Sequence, residues 1–120
     1  MIIAVDFDGT CVDHRYPEVG PSVPDAIRVL KELALKRYDL ILFTMRSGEK
    51  LDDAVEWFKR NNIPLAGINK SPNQHTWTSS PKAYANFYID DAAFGCPLIN
   101  VDGFRRMCVD WLEVEKVLVK

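Results

Sequence analysis

The sequence has little of what most metal, secreted or membrane proteins depend on. It holds only two histidines, His14 and His75, and neither has carboxylate-rich spacing around it, so a zinc site is not expected. Three cysteines, Cys11, Cys96 and Cys108, show no metal-type spacing. An odd count with no secretory signal points to reduced thiols and a cytoplasmic setting. No apolar run approaches the length of a membrane-spanning helix, and Met1-Ile2-Ile3-Ala4-Val5 meets Asp6 too soon for a signal sequence. No membrane partner is expected. Positive charge is not in excess: 15 Lys and Arg stand against 17 Asp and Glu, for a net charge of −2. That argues against a general electrostatic grip on nucleic acid or an anionic membrane, while leaving room for a local basic patch; nucleic acid is not indicated as a partner. There is no repeat, low-complexity tract or linker. The 120 residues, 48% hydrophobic and 27% charged, fit one globular domain over 1–120 with a single core.

What is present is an alternation of short apolar runs and helical stripes. Ile2-Ile3-Ala4-Val5, Asp39-Leu40-Ile41-Leu42-Phe43 and Asn86-Phe87-Tyr88-Ile89 lack polar alternation, as strands buried on both faces do. Leu65–Ile68 and Leu98–Asn100 are weaker strand candidates. Ala26, Ile27, Leu30, Leu33 and Ala34 form one apolar helical stripe, with Ser22 and Pro24 near its start. Leu51, Ala54, Val55 and Phe58 form a second, stopped before Pro64. Phe104, Met107, Cys108, Trp111 and Leu112 form a third. This order predicts βαβ units with right-handed crossovers, hence an α/β, three-layer Rossmann-like fold whose central, mainly parallel sheet is flanked by helices.

The chemistry-bearing residues sit where the strands end. Asp6, Thr44 and Asp90 each follow an apolar run, and ligands of open α/β sheets bind at the carboxyl ends of the strands. In Asp6-Phe7-Asp8-Gly9-Thr10, two carboxylates stand two residues apart and a glycine permits a sharp turn. Like charges that close raise each other's pKa unless a cation intervenes, and Mg²⁺ suits few protein ligands plus a phosphate.

With these residues the sequence resembles the haloacid dehalogenase superfamily of aspartate-nucleophile phosphohydrolases. Asp6-Phe7-Asp8-Gly9-Thr10 matches its first motif, and Leu40-Ile41-Leu42-Phe43-Thr44 the second. Lys82 is the best match to the third, with Lys70 competing, and Ile89-Asp90-Asp91 matches the fourth. The resemblance spans Ile2 to Asp91. It implies a Mg²⁺-dependent phosphomonoesterase working through an aspartyl-phosphate on Asp6. Asp8 would be the general acid and base. The metal set would be Asp6, Asp8 through its backbone carbonyl, Asp90 and, through water or by orienting neighbours, Asp91. Thr44 would donate to a phosphate oxygen and Lys82 would neutralise the nucleophile and transferring group.

The Asp6–Thr44 and Thr44–Lys82 intervals each have room for little beyond a helix, a strand and a loop. A capless member with an open site is therefore expected, acting on a small or larger phosphorylated substrate. Gly9, Thr10, Arg15, Arg46 and His75 are the candidate substrate-binding residues, Arg46 because its fork suits a second anionic group. Cys11, although next to Thr10, reads as a small buried apolar residue. Three alternatives stand beside this reading. They are a nucleotide or polynucleotide-end phosphatase, a non-catalytic phosphate- or metal-binding module, and a dehalogenase, which the metal-site pattern disfavours. The sequence leaves the substrate, the oligomeric state and any lid-supplying partner open.

Overall fold

Ile2–Val5 forms a strand, β1, with Ile3, Ala4 and Val5 fully buried. A run with no polar alternation needs cover on both faces, and this one occupies the sheet interior. The computed structural model describes residues 1–119. In chain order it places α1 at Ala26–Leu35, β2 at Asp39–Leu42, α2 at Gly48–Arg60 and β3 at Gly67–Ile68. A single 3-10 turn, Gln74–Thr76, precedes β4 at Phe87–Ile89. Then follow β5 at Leu98–Ile99, β6 at Cys108–Val109 and α3 at Trp111–Leu118. The main sheet is parallel, in the order β3-β2-β1-β4, and Ile3 faces Leu40 on one side and Phe87 on the other. It is the α/β arrangement expected from the sequence. Among the described residues no helix is long and apolar enough to cross a membrane.

The strand order fixes which face each connection covers. From β1 to β2 to β3 the chain steps one way across the sheet, so right-handed crossovers put α1 and α2 on one face. There Val29, Leu30 and Leu33 of α1 and Ala54, Trp57 and Phe58 of α2 meet Ile3, Val5, Leu40 and Leu42. The return from β3 to β4 runs the opposite way and crosses the other face. Its buried residue Ala83, with Ala85 beside it, packs on Ala4 and Ile41. This covering segment, residues 69–86, has no α-helix, so the third layer is thin. The sheet order therefore reverses between β1 and β4, and a crevice opens at their carboxyl ends.

Three expectations are corrected. The C-terminal stripe is not one helix: Cys108 and Val109 form β6, and α3 begins only at Trp111. Asp110 sets that start, its carboxylate accepting from the Glu113 amide. The Leu98–Asn100 candidate is a strand, yet it pairs antiparallel with β6 in a separate hairpin, not in the main sheet. Phe87 and Tyr88 are exposed, not buried on both faces, because β4 is an edge strand.

The hairpin and α3 serve the first strand's loop. Trp111, fully buried, donates its indole N–H to the Thr10 carbonyl at 2.8 Å. The Val109 amide donates to the Gly9 carbonyl at 3.2 Å. Phe7 is fully buried and meets Trp57 edge-on, with ring centroids 5.7 Å apart. Residues 7–10 are thus clamped from both sides by elements distant in the chain.

Candidate metal and phosphate site

The crevice at the strand reversal holds a cavity of about 440 Å³ lined by Asp6, Asp8, His14, Tyr16, Thr44, Met45, Arg46, Asp90, Asp91, Ala92 and Arg106. Asp6 leaves the end of β1 with its amide donating to the Ile89 carbonyl at 2.9 Å, which locks the ends of β1 and β4 together. As a result Asp6, Asp90 and Asp91 each bring a carboxylate oxygen within 4.8 Å of the others. None of the three forms an ion pair among the described residues.

That arrangement has an electrostatic cost. Burial, a hydrogen bond shared with the Asp91 carboxyl and the negative charge of Asp90 together push Asp6 from an ordinary 3.8 up to about 8. The Thr10 hydroxyl opposes this, donating to Asp6 Oδ2 at 3.0 Å. The same hydroxyl accepts from the Asp91 amide at 3.2 Å, so Thr10 ties the first acidic loop to the last. Thr10 is fully buried and does not line the cavity. It orients acids and does not bind substrate, which corrects the sequence expectation.

Gly9 is also a packing residue and not a substrate contact. Its φ is +85°, and a Cβ there would lie 2.3 Å from Asp91 Oδ2. Only glycine permits both the left-handed turn and the approach of Asp91. Gly9→Ala should destabilise the protein by about 2–4 kcal/mol and separate the carboxylates. Chemical denaturation reads the first effect, and Mn²⁺ titration the second.

Asp8 and Arg46 form a unit that the sequence did not reveal. Arg46 is 3% exposed, and it spends all five of its N–H bonds inside the protein. Two go to Asp8, at 2.8 Å to each oxygen. The other three go to the carbonyls of Pro17, Glu18 and Lys50. The guanidinium sits between two rings, 5.0 Å from the Phe7 centroid and 5.2 Å from that of Tyr16. Arg46 therefore has no donor left for a second anionic group, and the sequence expectation is revised. Asp8 reaches the cavity, yet its carboxylate belongs to Arg46 and not to the acidic cluster. As a metal residue it can act only through its backbone.

Thr44 lines the cavity beyond β2. Its amide donates to Asn69 Oδ1 at 2.8 Å, and its hydroxyl oxygen accepts from the Arg46 amide at 3.1 Å. The hydroxyl proton is left for a ligand. Neither candidate lysine reaches the carboxylates. Lys82 Nζ lies 5.6 Å from the Tyr88 ring centroid, and Lys70 Nζ donates to the Ser80 carbonyl. The reason is the absent helix: with Ala83 turned into the sheet face, Lys82 is left exposed beside the edge strand. Arg15 binds Asp13 and the Gly103 carbonyl, and His75 is exposed on the 3-10 turn; neither lines the cavity.

Two residues near the site were missed in the sequence. Asp13 is fully buried. Burial pushes its carboxyl up, but the Arg105 amide and Arg15 outweigh that and hold it below the usual carboxylate range. Arg106 lines the cavity directly. Neither carries a local signal, since each depends on the hairpin folding back. Cys11 is fully buried, as expected, and burial raises its thiol well above the ordinary value, so it has no nucleophilic character.

A larger groove of about 780 Å³ runs beside β3, lined by Val55, Phe58, Ile63, Pro64, Leu65 and their neighbours. It is mostly apolar, with Lys59 and Asn62 as its polar side chains and no carboxylate, histidine or cysteine among its lining residues.

No protein-family model matches the sequence, and no curated protein matches it. A solved structure, described as that of a conserved protein coded by a locus of Bacteroides thetaiotaomicron, is similar at 44% identity with a TM-score of 0.73. The similarity covers 79% of this chain and 78% of that one. At that identity and coverage, the chain belongs to the same family as this conserved Bacteroides protein.

Proposed function

We propose that this protein is a Mg²⁺-dependent phosphohydrolase of the haloacid dehalogenase type, with Asp6 as its nucleophile. The observation that carries the reading is the convergence of Asp6, Asp90 and Asp91 on one crevice, where none of them forms an ion pair among the described residues. Three hard oxygen donors that close suit a small divalent ion, which would offset the burial and the neighbouring acids that raise Asp6 to about 8. Asp6 and Asp90 would hold Mg²⁺ directly, with Asp91 beside them. Bound there, Mg²⁺ would screen the approach of an anionic nucleophile to an anionic phosphoryl group.

The residues then divide the work. Asp6 attacks phosphorus, the ester oxygen leaves with the bonding pair, and an aspartyl-phosphate forms. Thr44 donates its free hydroxyl proton to a phosphoryl oxygen. Asp8 takes a proton from the water that hydrolyses the intermediate. Like the later transfer from water, protonating a leaving alcohol first asks Asp8 to hold a proton on an oxygen that is also bonded to Arg46. Esters such as p-nitrophenyl phosphate, whose leaving group needs no proton, avoid that step.

One pair of observations favours a second reading, a phosphate- or metal-binding module without turnover. Lys82 stands away from the carboxylates, and both oxygens of Asp8 are already taken. Turnover of p-nitrophenyl phosphate with and without Mg²⁺ separates the two. Hydrolysis should require Mg²⁺ and fall by on the order of a thousandfold or more in Asp6→Asn. Asp8→Asn should slow hydrolysis of the intermediate more than its formation. Mg²⁺-dependent turnover that persists in Asp6→Asn excludes the covalent mechanism. Cation binding with no turnover on any phosphate ester selects the module.

A further inference from the structure

We propose that Arg106 is the anion-binding arm of this site, the residue that grips the phosphoryl group where neither Lys82 nor Arg46 does. The inference rests on the phosphohydrolase reading and names the side chain that reading lacks. Arg106 lines the same cavity as Asp6, Asp8, Asp90 and Asp91. Among the described residues, the only other arginine or lysine on that wall is Arg46, whose donors are all spent. Among the described residues the Arg106 guanidinium forms no ion pair, so its planar fork stands ready for two phosphoryl oxygens.

Its placement is built and not incidental. The turn before it closes with the Phe104 amide donating to the Val101 carbonyl. Both oxygens of buried Asp13 accept from the Arg105 amide, at 3.1 and 3.0 Å. Arg15 bridges the two segments, donating to Asp13 at 2.8 Å and to the Gly103 carbonyl at 3.0 Å. Just beyond, the Val109 amide is bonded to the Gly9 carbonyl. The backbone on either side of Arg106 is therefore fastened to the loop that carries Asp6 and Asp8. An ionised Asp13 with two arginine-derived partners, buried beside the site, makes physical sense as the brace of this turn. Electrostatics gives the same assignment. Asp8 is neutralised by Arg46, so a phosphate approaches three further carboxylates, and a single divalent ion does not offset all of that charge.

Calorimetric titration of the protein tests this directly, with Mn²⁺ first and then inorganic phosphate in the presence of Mn²⁺. Arg106→Ala should weaken phosphate binding about tenfold or more and raise KM for p-nitrophenyl phosphate, while binding Mn²⁺ at least as tightly as wild type. Arg106→Lys should recover part of the phosphate affinity. Arg105→Ala makes the same change in net charge with a side chain outside the cavity, and should leave both affinities near wild type. The proposal is overturned if Arg106→Ala binds phosphate normally, if it loses Mn²⁺ together with phosphate, or if Lys82→Ala is the variant that loses phosphate. A wild-type protein that binds Mn²⁺ and hydrolyses p-nitrophenyl phosphate while Arg106→Ala does so equally well refutes this assignment alone. A wild type that binds neither probe refutes the phosphohydrolase reading and this inference with it.

Discussion

Asp6→Asn should make the cation-free protein more stable at pH 8, although it removes the proposed nucleophile. In the folded protein Asp6 titrates at about 8, against an ordinary 3.8. Between these values the native state holds a proton that the unfolded chain has released. Stability therefore falls as pH rises through that window, and the full penalty is present above it. Complete burial would make this about 5–6 kcal/mol, but the cluster opens into a solvent-filled cavity, so about 2–4 kcal/mol is the realistic size. Asparagine removes the titration. Its oxygen can still accept from Thr10, and its amide N–H can donate to Asp91 in place of the shared proton. The variant's midpoint of thermal unfolding should exceed wild type by several degrees at pH 8 and by little at pH 5. Millimolar Mg²⁺ should reverse the order at pH 8, stabilising wild type and leaving Asp6→Asn nearly unmoved. Differential scanning fluorimetry over a pH series, with and without Mg²⁺, reads all of this. Equal pH slopes in wild type and variant would show that the three acids do not share one field.

The stability cost and the proposed cation binding have the same source. A carboxylate crowded by two others is a poor structural element and a good cation receptor. The fold creates it because the strand order reverses between β1 and β4, which forces their carboxyl ends to open into one crevice. A hydrogen-bonded ladder from Asp6 to Ile89 then leaves little freedom to part them.

That crowding was legible in the sequence because it needs only local information. Each acid terminates an apolar run, and parallel neighbours bring such ends together. The first two helices were equally readable, since a stripe of small and aliphatic residues at helical spacing has one burial solution. What the sequence could not supply was every feature created by contact across the chain. Cys108 and Val109 fit a helical stripe as well as a strand, and their pairing with Leu98 and Ile99 decided the matter. A role for Lys82 read from its position before an acidic strand presumes a helix where the structure has a thin, irregular layer. Arg46 looked available because nothing local says that residues 17 and 18 arch back over it. Arg106 looked ordinary because its cavity exists only when the hairpin is fastened to Asp13.

Arg46 also carries the largest structural prediction. Arg46→Ala should destabilise the protein by about 3–5 kcal/mol, the range for breaking a buried ion pair on one side. The loss has three parts. Asp8 is left as an uncompensated carboxylate beside three others. The carbonyls of Pro17, Glu18 and Lys50 lose their donor. The space between the Phe7 and Tyr16 rings empties, so packing falls with the charge. Arg46→Lys keeps the charge but cannot reproduce five bonds in one plane, and should recover less than half the stability. The pair is separated from its surroundings by a double-mutant cycle with Asp8→Asn, followed by urea denaturation. If Arg46 serves chiefly to hold Asp8, the double variant should be more stable than the sum of the two single losses predicts. If it serves chiefly to anchor residues 17 and 18, the losses add, and Asp8→Asn alone is mild. The hydrogen bonds are divided two to Asp8 and three to the backbone. The expected result is therefore a coupling of about 1–3 kcal/mol, with a substantial remainder that Asp8→Asn does not rescue.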